Sequence, residues 1–271
     1  MTVTKMKIII AGASGRMGRE LIKKALSSDK FTIVGATENP ESEYINQDIG
    51  ELVGIKNTGI KISSDILYLV KEADGIIDFT NPSTSIENSI IAAQTRIVHV
   101  IGTTGFTNDQ HEKVALSAMH AKIVQSGNMS LGVNLLSELT RRAAQTLNKD
   151  FDIEIIEMHH KNKIDAPSGT ALLLGKSAAK GRKIDFNKNA VYNRNSITGE
   201  REINSIGFAT LRGGSIVGEH DVIFSGDGET IKLSHSASDR GIFAQGALVA
   251  ALWARDKKPG LYSMIDVLDL K

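Results

Sequence analysis

The sequence predicts an α/β protein with a Rossmann-like, doubly wound parallel sheet and a smaller α+β domain with a mixed sheet. Strand-like and helix-like segments alternate up to about residue 128, and a glycine-rich turn directly follows the first strand. From residue 203 onward, short strand-like segments instead follow one another with glycine-rich turns between them. Residues 1–129 with the returning segment 241–271 are therefore expected to form one domain, and residues 130–240 the other.

Composition excludes several classes of function. A length of 271 residues is enough for two modest domains, and a net charge of +1 provides no field for nucleic acid or an anionic membrane. No apolar stretch approaches the length of a membrane span. The chain has no cysteine, which excludes disulfides, thiolate metal ligands and a cysteine nucleophile, and fits a cytoplasmic location.

The first strand, residues 6–10, leads into the turn GASGRMG at 12–18 and then into a helical pattern at 19–26. This order predicts a dinucleotide-binding loop, in the variant spacing Gly-x-x-Gly-x-x-Gly. Gly12 would permit the tight turn, Gly15 would let the backbone approach the pyrophosphate, and Gly18 would let the helix pack closely. The alternative is a glycine turn that only packs a helix on a sheet. The predicted cofactor contacts are Gly12, Ala13, Ser14, Gly15, Arg16 and Met17.

The later strands of this domain add polar residues at their carboxyl ends. The strand at 31–37 ends at Glu38, which is placed to accept hydrogen bonds from an adenosine ribose. Strands at 75–80, 96–101 and 122–125 end in further turns, and ligands of such sheets bind outside the carboxyl ends of the strands. Each turn alone could be ordinary, but together they predict a nicotinamide-side wall. Its predicted members are Thr80, Gly102, Thr103, Thr104, Ser126, Gly127, Asn128 and Met129.

The second domain is predicted to begin with a long helix at 131–147 and a strand at 151–157. The segments 203–211, 215–218, 220–224 and 229–235 predict a mixed or antiparallel sheet, and residues 180–201 predict a surface loop. An apolar helix at 241–254 is expected to return to the first domain.

The segment EMHHKNKIDAPSGT at 157–170 contains the strongest candidates for chemistry. It places His159, His160 and Lys163 where a strand ends, a usual position for catalytic groups. Ser168 is the predicted N-cap of the following helix, which would leave the backbone N–H groups of Gly169 and Thr170 available to an anion. Cationic side chains beside a helix N-terminus suit a small substrate with carboxylates. The residues alone do not decide which histidine is catalytic, since either could instead pack against or orient the other.

The remaining histidines suggest no second site. His99 lies inside a strand and is interpreted as a packed core residue, while His111 and His120 lie on a predicted helix and are interpreted as solvated. His220 and His235 fall in the second sheet without metal-ligand spacing, so no metal is predicted.

These motifs together resemble the 4-hydroxy-tetrahydrodipicolinate reductase (dihydrodipicolinate reductase) family of bacterial lysine and diaminopimelate biosynthesis. The resemblance covers nearly the whole chain. Its marks are GASGRMG at 12–18, DFT at 78–80, GTTGF at 102–106, NMSLGVN at 128–134, EMHH at 157–160, KIDAPSGTA at 163–171, RGG at 212–214, GEHDVIF at 218–224 and RGIFAQGA at 240–247.

The resemblance implies that NADH or NADPH passes hydride to a small cyclic dicarboxylic imine, with loss of a hydroxyl group as water. By position, His159 would be the acid/base group and Lys163 a proton donor that contacts the substrate. His160, Gly169 and Thr170 would hold the carboxylates. The fold analogy also implies a homotetramer built through the sheet of the second domain.

The cofactor preference depends on the residue after Glu38. Relatives that favour NADPH often carry an arginine there, whereas this chain has Asn39, and it has Asn81 where a basic residue also occurs in relatives. Glu38 would repel a 2′-phosphate and Asn39 cannot neutralise one, which leaves Arg16 in the glycine turn as the alternative cation for it. The sequence therefore predicts that NADH is preferred and NADPH is usable.

Two other classes of protein fit parts of the sequence. A different two-domain dehydrogenase is one, but the absence of cysteine excludes the acylating semialdehyde type, and a homoserine dehydrogenase would lack the His-His-x-x-Lys segment. A nicotinamide-sensing binding protein is the other. Such a protein would keep the glycine turn but would have no need of His159 and Lys163 together.

Overall fold

The computed structural model describes residues 4–270, which divide into two compact units. Unit 1 contains the described residues up to Leu131 and those from Arg240 onward, and unit 2 runs from Gly132 to Asp239. Among the described residues, no helix has the length and apolar character needed to cross a membrane.

Unit 1 contains a seven-stranded sheet in which every pairing is parallel, in the order β12-β6-β5-β4-β1-β2-β3. The predicted Rossmann-like fold is thereby confirmed, because the first six strands have the doubly wound order whose ligand crevice opens beside β1. The strands are β1 (Met6–Ala11), β2 (Phe31–Thr37), β3 (Ile62–Ser63), β4 (Gly75–Asp78), β5 (Val98–Ile101), β6 (Lys122–Gln125) and β12 (Gly260–Tyr262).

The central strands of this sheet are buried on both faces. Ile8, Ile9 and Ile10 of β1 are all fully buried, and β4 and β5 are buried along their whole length. Helices therefore cover both faces of the sheet, as a parallel sheet requires. They are α1 (Arg16–Leu26), α2 (Ile49–Leu52), α3 (Ile66–Leu69), α4 (Pro82–Thr95), α5 (Asn108–Ser117), α9 (Gly241–Arg255) and α10 (Met264–Val267), with a 3₁₀ turn at Val70–Glu72.

Local sequence signals explain where the longer helices of unit 1 begin. The Asn81 side chain accepts a hydrogen bond from the Thr84 N–H, and Pro82 occupies the first helical position of α4. Thr107 and Gln110 form a capping box at the start of α5. Helix α9 belongs to unit 1, and its Gly246 lies so close to the Met129 carbonyl that a side chain there would overlap it.

Unit 2 contains a mixed five-stranded sheet in the order β11-β10-β7-β9-β8. Strand β10 pairs antiparallel with β7 and β11, whereas β9 pairs parallel with β7 and β8. Its elements are α6 (Leu131–Thr146), which starts one residue before the unit, β7 (Asp152–His159), α7 (Gly169–Arg182), α8 (Phe186–Asn189), β8 (Ala190–Val191), β9 (Ile206–Arg212), β10 (Gly218–Gly226) and β11 (Glu229–Ala237).

Some local predictions were wrong. Residues 215–217 are not a strand, because the turn after β9 continues until Gly218 opens β10. The segment 180–201 is not one loop, since it contains the end of α7, all of α8 and strand β8. Phe186 explains this order, because its ring packs edge-on against Phe208 of β9 at 6.2 Å between centroids. The three-residue strand β12 was not predicted from the sequence.

Candidate active site

The glycine turn after β1 has the geometry of a dinucleotide loop. Gly12 has φ = +74°, a conformation that favours glycine, and Gly15 is the N-cap of α1. A Cβ at Gly18 would overlap the Gly12 carbonyl oxygen, so this glycine brings the helix against the turn. At Gly15, by contrast, a Cβ would meet only the Gly12 carbonyl oxygen, at 3.2 Å. The exposed backbone at Gly15 therefore has room for a pyrophosphate at the N-terminus of α1.

Glu38 is bound to this turn through Ser14. One carboxylate oxygen accepts hydrogen bonds from the Ser14 N–H at 2.9 Å and the Ser14 hydroxyl at 2.6 Å, and the other accepts from the Asn39 N–H at 3.0 Å. The sequence did not predict this contact. It fixes an acceptor at the end of β2, beside the loop, where a ribose hydroxyl could donate to its remaining lone pairs.

The other predicted cofactor residues follow β5 and β6, which are neighbours in the sheet. Thr104 and Gly127 are exposed at this edge, Ser126 is half-buried, and its hydroxyl donates to the Asn128 carbonyl at 2.9 Å. Thr103 and Met129 are buried, as is Ala13 in the glycine turn. The side chains of these three residues therefore pack beneath the turns and are not exposed at the edge of the sheet. Arg16 is exposed and Met17 half-buried at the start of α1.

In unit 2, His159 is the last residue of β7, and it is paired with Glu157. The two side chains lie on one face of the strand because alternate residues share a face. His159 Nδ1 lies 2.6 Å from Glu157 Oε2, and both side chains are buried. A carboxylate only accepts hydrogen bonds, so it fixes the proton on Nδ1 and leaves Nε2 with its lone pair. Nε2 points toward Gly218, where a Cβ would come within 3.2 Å of it.

Arg212 holds the Glu157 carboxylate from the neighbouring strand. Its guanidinium donates to both carboxylate oxygens, at 2.8 and 2.9 Å, and this contact is possible because β7 and β9 are in a register that pairs His159 with Arg212. The Thr210 hydroxyl lies 3.3 Å from the same carboxylate. Burial alone would raise the pKa of Glu157, but the hydrogen bonds from Arg212, His159 and the Ser168 N–H together lower it. Glu157 is therefore ionised at neutral pH.

The same carboxylate also positions the start of α7. Glu157 Oε1 accepts a hydrogen bond from the Ser168 N–H at 3.0 Å, and Ser168 is the N-cap of α7, its hydroxyl oxygen accepting from the Ala171 N–H at 3.1 Å. Gly169 and Thr170 are the first two residues of that helix. The predicted carboxylate-binding helix end is thus joined to His159 through a single buried group.

Lys163 and His160 lie in the loop between β7 and α7. Lys163 Nζ donates to Asp165 Oδ1 at 2.8 Å, and this hydrogen bond is the main cause of the lowered pKa of Asp165. The Lys163 N–H donates to the His160 carbonyl at 3.1 Å, and His160 itself is half-buried. The Asp165 carbonyl accepts from Arg212 at 2.7 Å, so the loop is attached to the guanidinium that holds Glu157.

Burial keeps His159 neutral. Burial is the largest single cause acting on the pKa of His159 and lowers it, the hydrogen bond and the charge of Glu157 oppose it, and the positive charges of Lys163 and Arg212 add to it, so that the pKa is lowered. A neutral imidazole with a free Nε2 lone pair can accept a proton near pH 7. The arrangement can therefore perform acid/base chemistry beside a lysine and a helix N-terminus.

His220 packs against His159 edge-on, with 5.1 Å between ring centroids. Its Nε2 lies 3.0 Å from the Ser168 hydroxyl, while its Nδ1 is buried without a hydrogen-bond partner among residues 4–270. Burial is the main cause that lowers the pKa of His220 to about 4, and the neighbouring His159 adds to it. His220 is therefore neutral in the folded protein.

The sequence interpretation missed Glu157, Arg212 and His220 as parts of this site. The alternation of a strand could have found Glu157, which is two residues before His159. Arg212 lies 55 residues from Glu157, and His220 lies 52 residues from Ser168, so their contacts depend on the sheet pairing.

Comparisons with known proteins give a family for both units. The family model described as dihydrodipicolinate reductase, N-terminus, matches residues 6–129, and the one described as dihydrodipicolinate reductase, C-terminus, matches residues 132–268. The 4-hydroxy-tetrahydrodipicolinate reductase of Rhizobium rhizogenes is 55% identical over 271 residues, covering 100% of this chain and 99% of the relative. The protein of that name from Brucella abortus strain 2308 is 55% identical over 266 residues, covering 98% and 99%.

A solved structure has the same fold. The dipicolinate-bound dihydrodipicolinate reductase from Paenisporosarcina sp. TG-14 has a TM-score of 0.78 and 23% identity, covering 97% of this chain and 99% of that chain.

We predict that His220 makes the protein sensitive to mild acid. Its pKa is lower when folded than when unfolded, so the unfolded state binds more protons between those two values. The contribution of His220 to the free energy of unfolding is therefore fully present above about pH 6.5. As the pH decreases toward about 4, the free energy of unfolding falls by up to about 3 kcal/mol. Urea unfolding of the His220→Gln variant should show a smaller decrease over this range than the wild type.

The exposed His120 provides the control, because His120→Gln should keep the wild-type pH dependence. An unchanged dependence in His220→Gln would contradict the assignment.

Proposed function

Because the chain belongs to the dihydrodipicolinate reductase family, it reduces 4-hydroxy-tetrahydrodipicolinate with NAD(P)H in lysine and diaminopimelate biosynthesis, and we propose how its residues perform this reaction. The substrate accepts a hydride and a proton and loses its hydroxyl group as water. The products are tetrahydrodipicolinate, NAD(P)⁺ and water.

His159 is the acid/base group of the proposal. This assignment of His159 rests on the 2.6 Å contact between its Nδ1 and the buried Glu157 carboxylate, because this contact leaves Nε2 free to exchange a proton. The pKa of His159, lowered by burial, supports a neutral imidazole at pH 7. Glu157 and Arg212 are positioning residues, since they act through His159.

Lys163 is the proton donor. A lysine beside an anionic substrate stays charged, stabilises developing negative charge and can donate a proton. In the structure its Nζ donates to Asp165 Oδ1, so the ammonium group is held within the loop between β7 and α7. His160 with the N-terminus of α7 at Gly169 and Thr170 would hold the two carboxylates of the substrate.

The residues of unit 1 fit a dinucleotide. A bound reduced nicotinamide supplies the hydride. The open backbone at Gly15 and the N-terminus of α1 would hold the pyrophosphate, and Glu38 would accept hydrogen bonds from the adenosine ribose. The turns after β5 and β6 would hold the nicotinamide side: Gly102, Thr103, Thr104, Ser126, Gly127, Asn128 and Met129.

We propose that the enzyme prefers NADH to NADPH. Glu38 places its carboxylate beside the glycine turn, where the 2′-phosphate of NADPH would meet a like charge. Asn39 is exposed, and its side-chain oxygen accepts from the Glu41 N–H, so it brings no positive charge to this position.

We also propose a cytoplasmic homotetramer. The nine-residue edge strand β11 is exposed along most of its length and includes the part-exposed Ile231, and such an edge is often covered by another chain. A chain without cysteine suits a reducing compartment.

We predict that Lys163→Ala lowers kcat by about 100-fold or more, because a general acid contributes that much to a proton-transfer step. Nicotinamide absorbance with substrate freshly made by the preceding synthase measures this. Lys161→Ala is the matched control, since Lys161 is exposed two residues earlier and the variant makes the same charge change. Unchanged turnover in Lys163→Ala would contradict its role, and a wild type that binds NADH without oxidising it would favour the sensing protein.

We predict that the wild type has a higher kcat/KM with NADH than with NADPH. Asn39→Arg should raise the NADPH-to-NADH ratio of kcat/KM by about tenfold, since one charge-assisted hydrogen bond to the 2′-phosphate contributes on that order. Asn57→Arg, at an exposed position elsewhere in unit 1, should leave the ratio unchanged. Equal or better efficiency of the wild type with NADPH would refute the preference.

A further inference from the structure

Unit 1 also contains a buried carboxylate. It lies beneath the cofactor edge, which is the edge of the sheet formed by the carboxyl ends of the strands and the turns that follow them. Asp78 is the last residue of β4, in the middle of the sheet, and it is fully buried. An unpaired carboxylate at such a position would be strongly unfavourable, so its partners define what it does. None of the roles proposed above uses this residue.

The two oxygens of Asp78 have different partners. Oδ1 accepts from the Thr80 N–H at 2.9 Å, from the Thr80 hydroxyl at 2.6 Å and from the Thr103 hydroxyl at 3.3 Å. Thr80 belongs to the turn after β4, and Thr103 to the turn after β5. One oxygen therefore holds two neighbouring turns of the cofactor edge at once.

Oδ2 faces the interior. It accepts from the Asn88 amide of α4 at 2.9 Å and lies 3.3 Å from His99 Nε2 on β5. The Ser89 hydroxyl donates to the Ser85 carbonyl at 2.7 Å, so its oxygen accepts from His99 Nδ1 at 3.1 Å. Asp78 is thus anchored in the core by hydrogen bonds to α4 and β5.

The turns that Asp78 holds also contact the rest of the edge. The Ser85 hydroxyl donates to the Thr103 hydroxyl at 2.9 Å, which fixes Thr103 from a second side. The Thr80 methyl group lies 3.0 Å from where a Cβ of Gly12 would stand, so Thr80 packs against the glycine turn. The backbone of Gly102 donates to the Asp78 carbonyl at 2.8 Å.

We propose that Asp78 is a positioning residue for dinucleotide binding, which sets the turns containing Thr80 and Thr103 in the geometry that the nicotinamide side of the cofactor requires. This inference rests on the proposed cofactor role of the turn at 102–104. Asp78 should affect the affinity for the cofactor and take no part in the proton transfers. The residue is fully buried, and its polar contacts are with the sheet, α4 and the two turns.

Dissociation constants for NADH, measured by nicotinamide fluorescence on the purified full chain, test the proposal together with KM and kcat at saturating cofactor. Asp78→Asn keeps the shape of the side chain but loses its charge. We expect its dissociation constant and KM for NADH to rise by about tenfold or more, as the loss of a charged hydrogen-bond acceptor predicts, with kcat within about threefold of the wild type.

Ser85→Ala provides a second test if Asp78→Asn does not fold. It removes only the hydrogen bond from Ser85 to the Thr103 hydroxyl and should weaken NADH binding by about threefold. Ser117→Ala is the matched control, because Ser117 is also buried in unit 1 but its hydroxyl donates only within α5, to the Lys113 carbonyl. Its NADH affinity should equal that of the wild type.

The outcomes separate this inference from the proposed function. Folded Asp78→Asn and Ser85→Ala variants with lower melting temperatures but wild-type affinity for NADH would overturn the positioning role and leave only a structural one. The same result would leave the proposed function intact. A wild type that binds neither NADH nor NADPH would contradict the proposed function itself, and with it the inference.

Discussion

The buried carboxylate of Glu157 is the group on which the chemistry of unit 2 depends. It binds His159, Arg212 and the Ser168 N–H at the same time. A carboxylate so deeply buried would be unfavourable alone, and the bidentate guanidinium is what allows it to remain charged. Replacing Arg212 would leave the buried carboxylate without its cationic partner, and the strand, the helix N-terminus and the imidazole are all bound to that one carboxylate.

Asp78 has a comparable place in unit 1. Both carboxylates lie at or near the end of a strand, and both have a histidine among their partners. Their surroundings differ in a way that suits different roles. Glu157 contacts an imidazole whose other nitrogen stays available, whereas the His99 ring has partners at both nitrogens. The first arrangement suits proton exchange and the second suits fixed geometry.

The sequence predicted those features that depend on neighbouring residues. The order of strand, GASGRMG turn and helix predicted the Rossmann-like fold, and a Ser-Gly-Thr run predicted the N-cap of α7 at Ser168. Contacts that depend on sheet register were missed, because no local pattern pairs Glu157 with Arg212 or Ser168 with His220. Strand β12 was missed because three residues after Pro259 have too little periodicity to identify a strand.

Glu157 fixes the His159 tautomer with the proton on Nδ1, and the proton-exchange role of Nε2 depends on this. Nitrogen NMR of the histidine-labelled full chain at pH 7.5, assigned with a His159→Gln variant, measures this directly. We expect a neutral His159 ring protonated at Nδ1 in the wild type, and loss of that preference in Glu157→Gln. A wild-type His159 protonated at Nε2 alone, or a tautomer unchanged in Glu157→Gln, would contradict this role of Glu157.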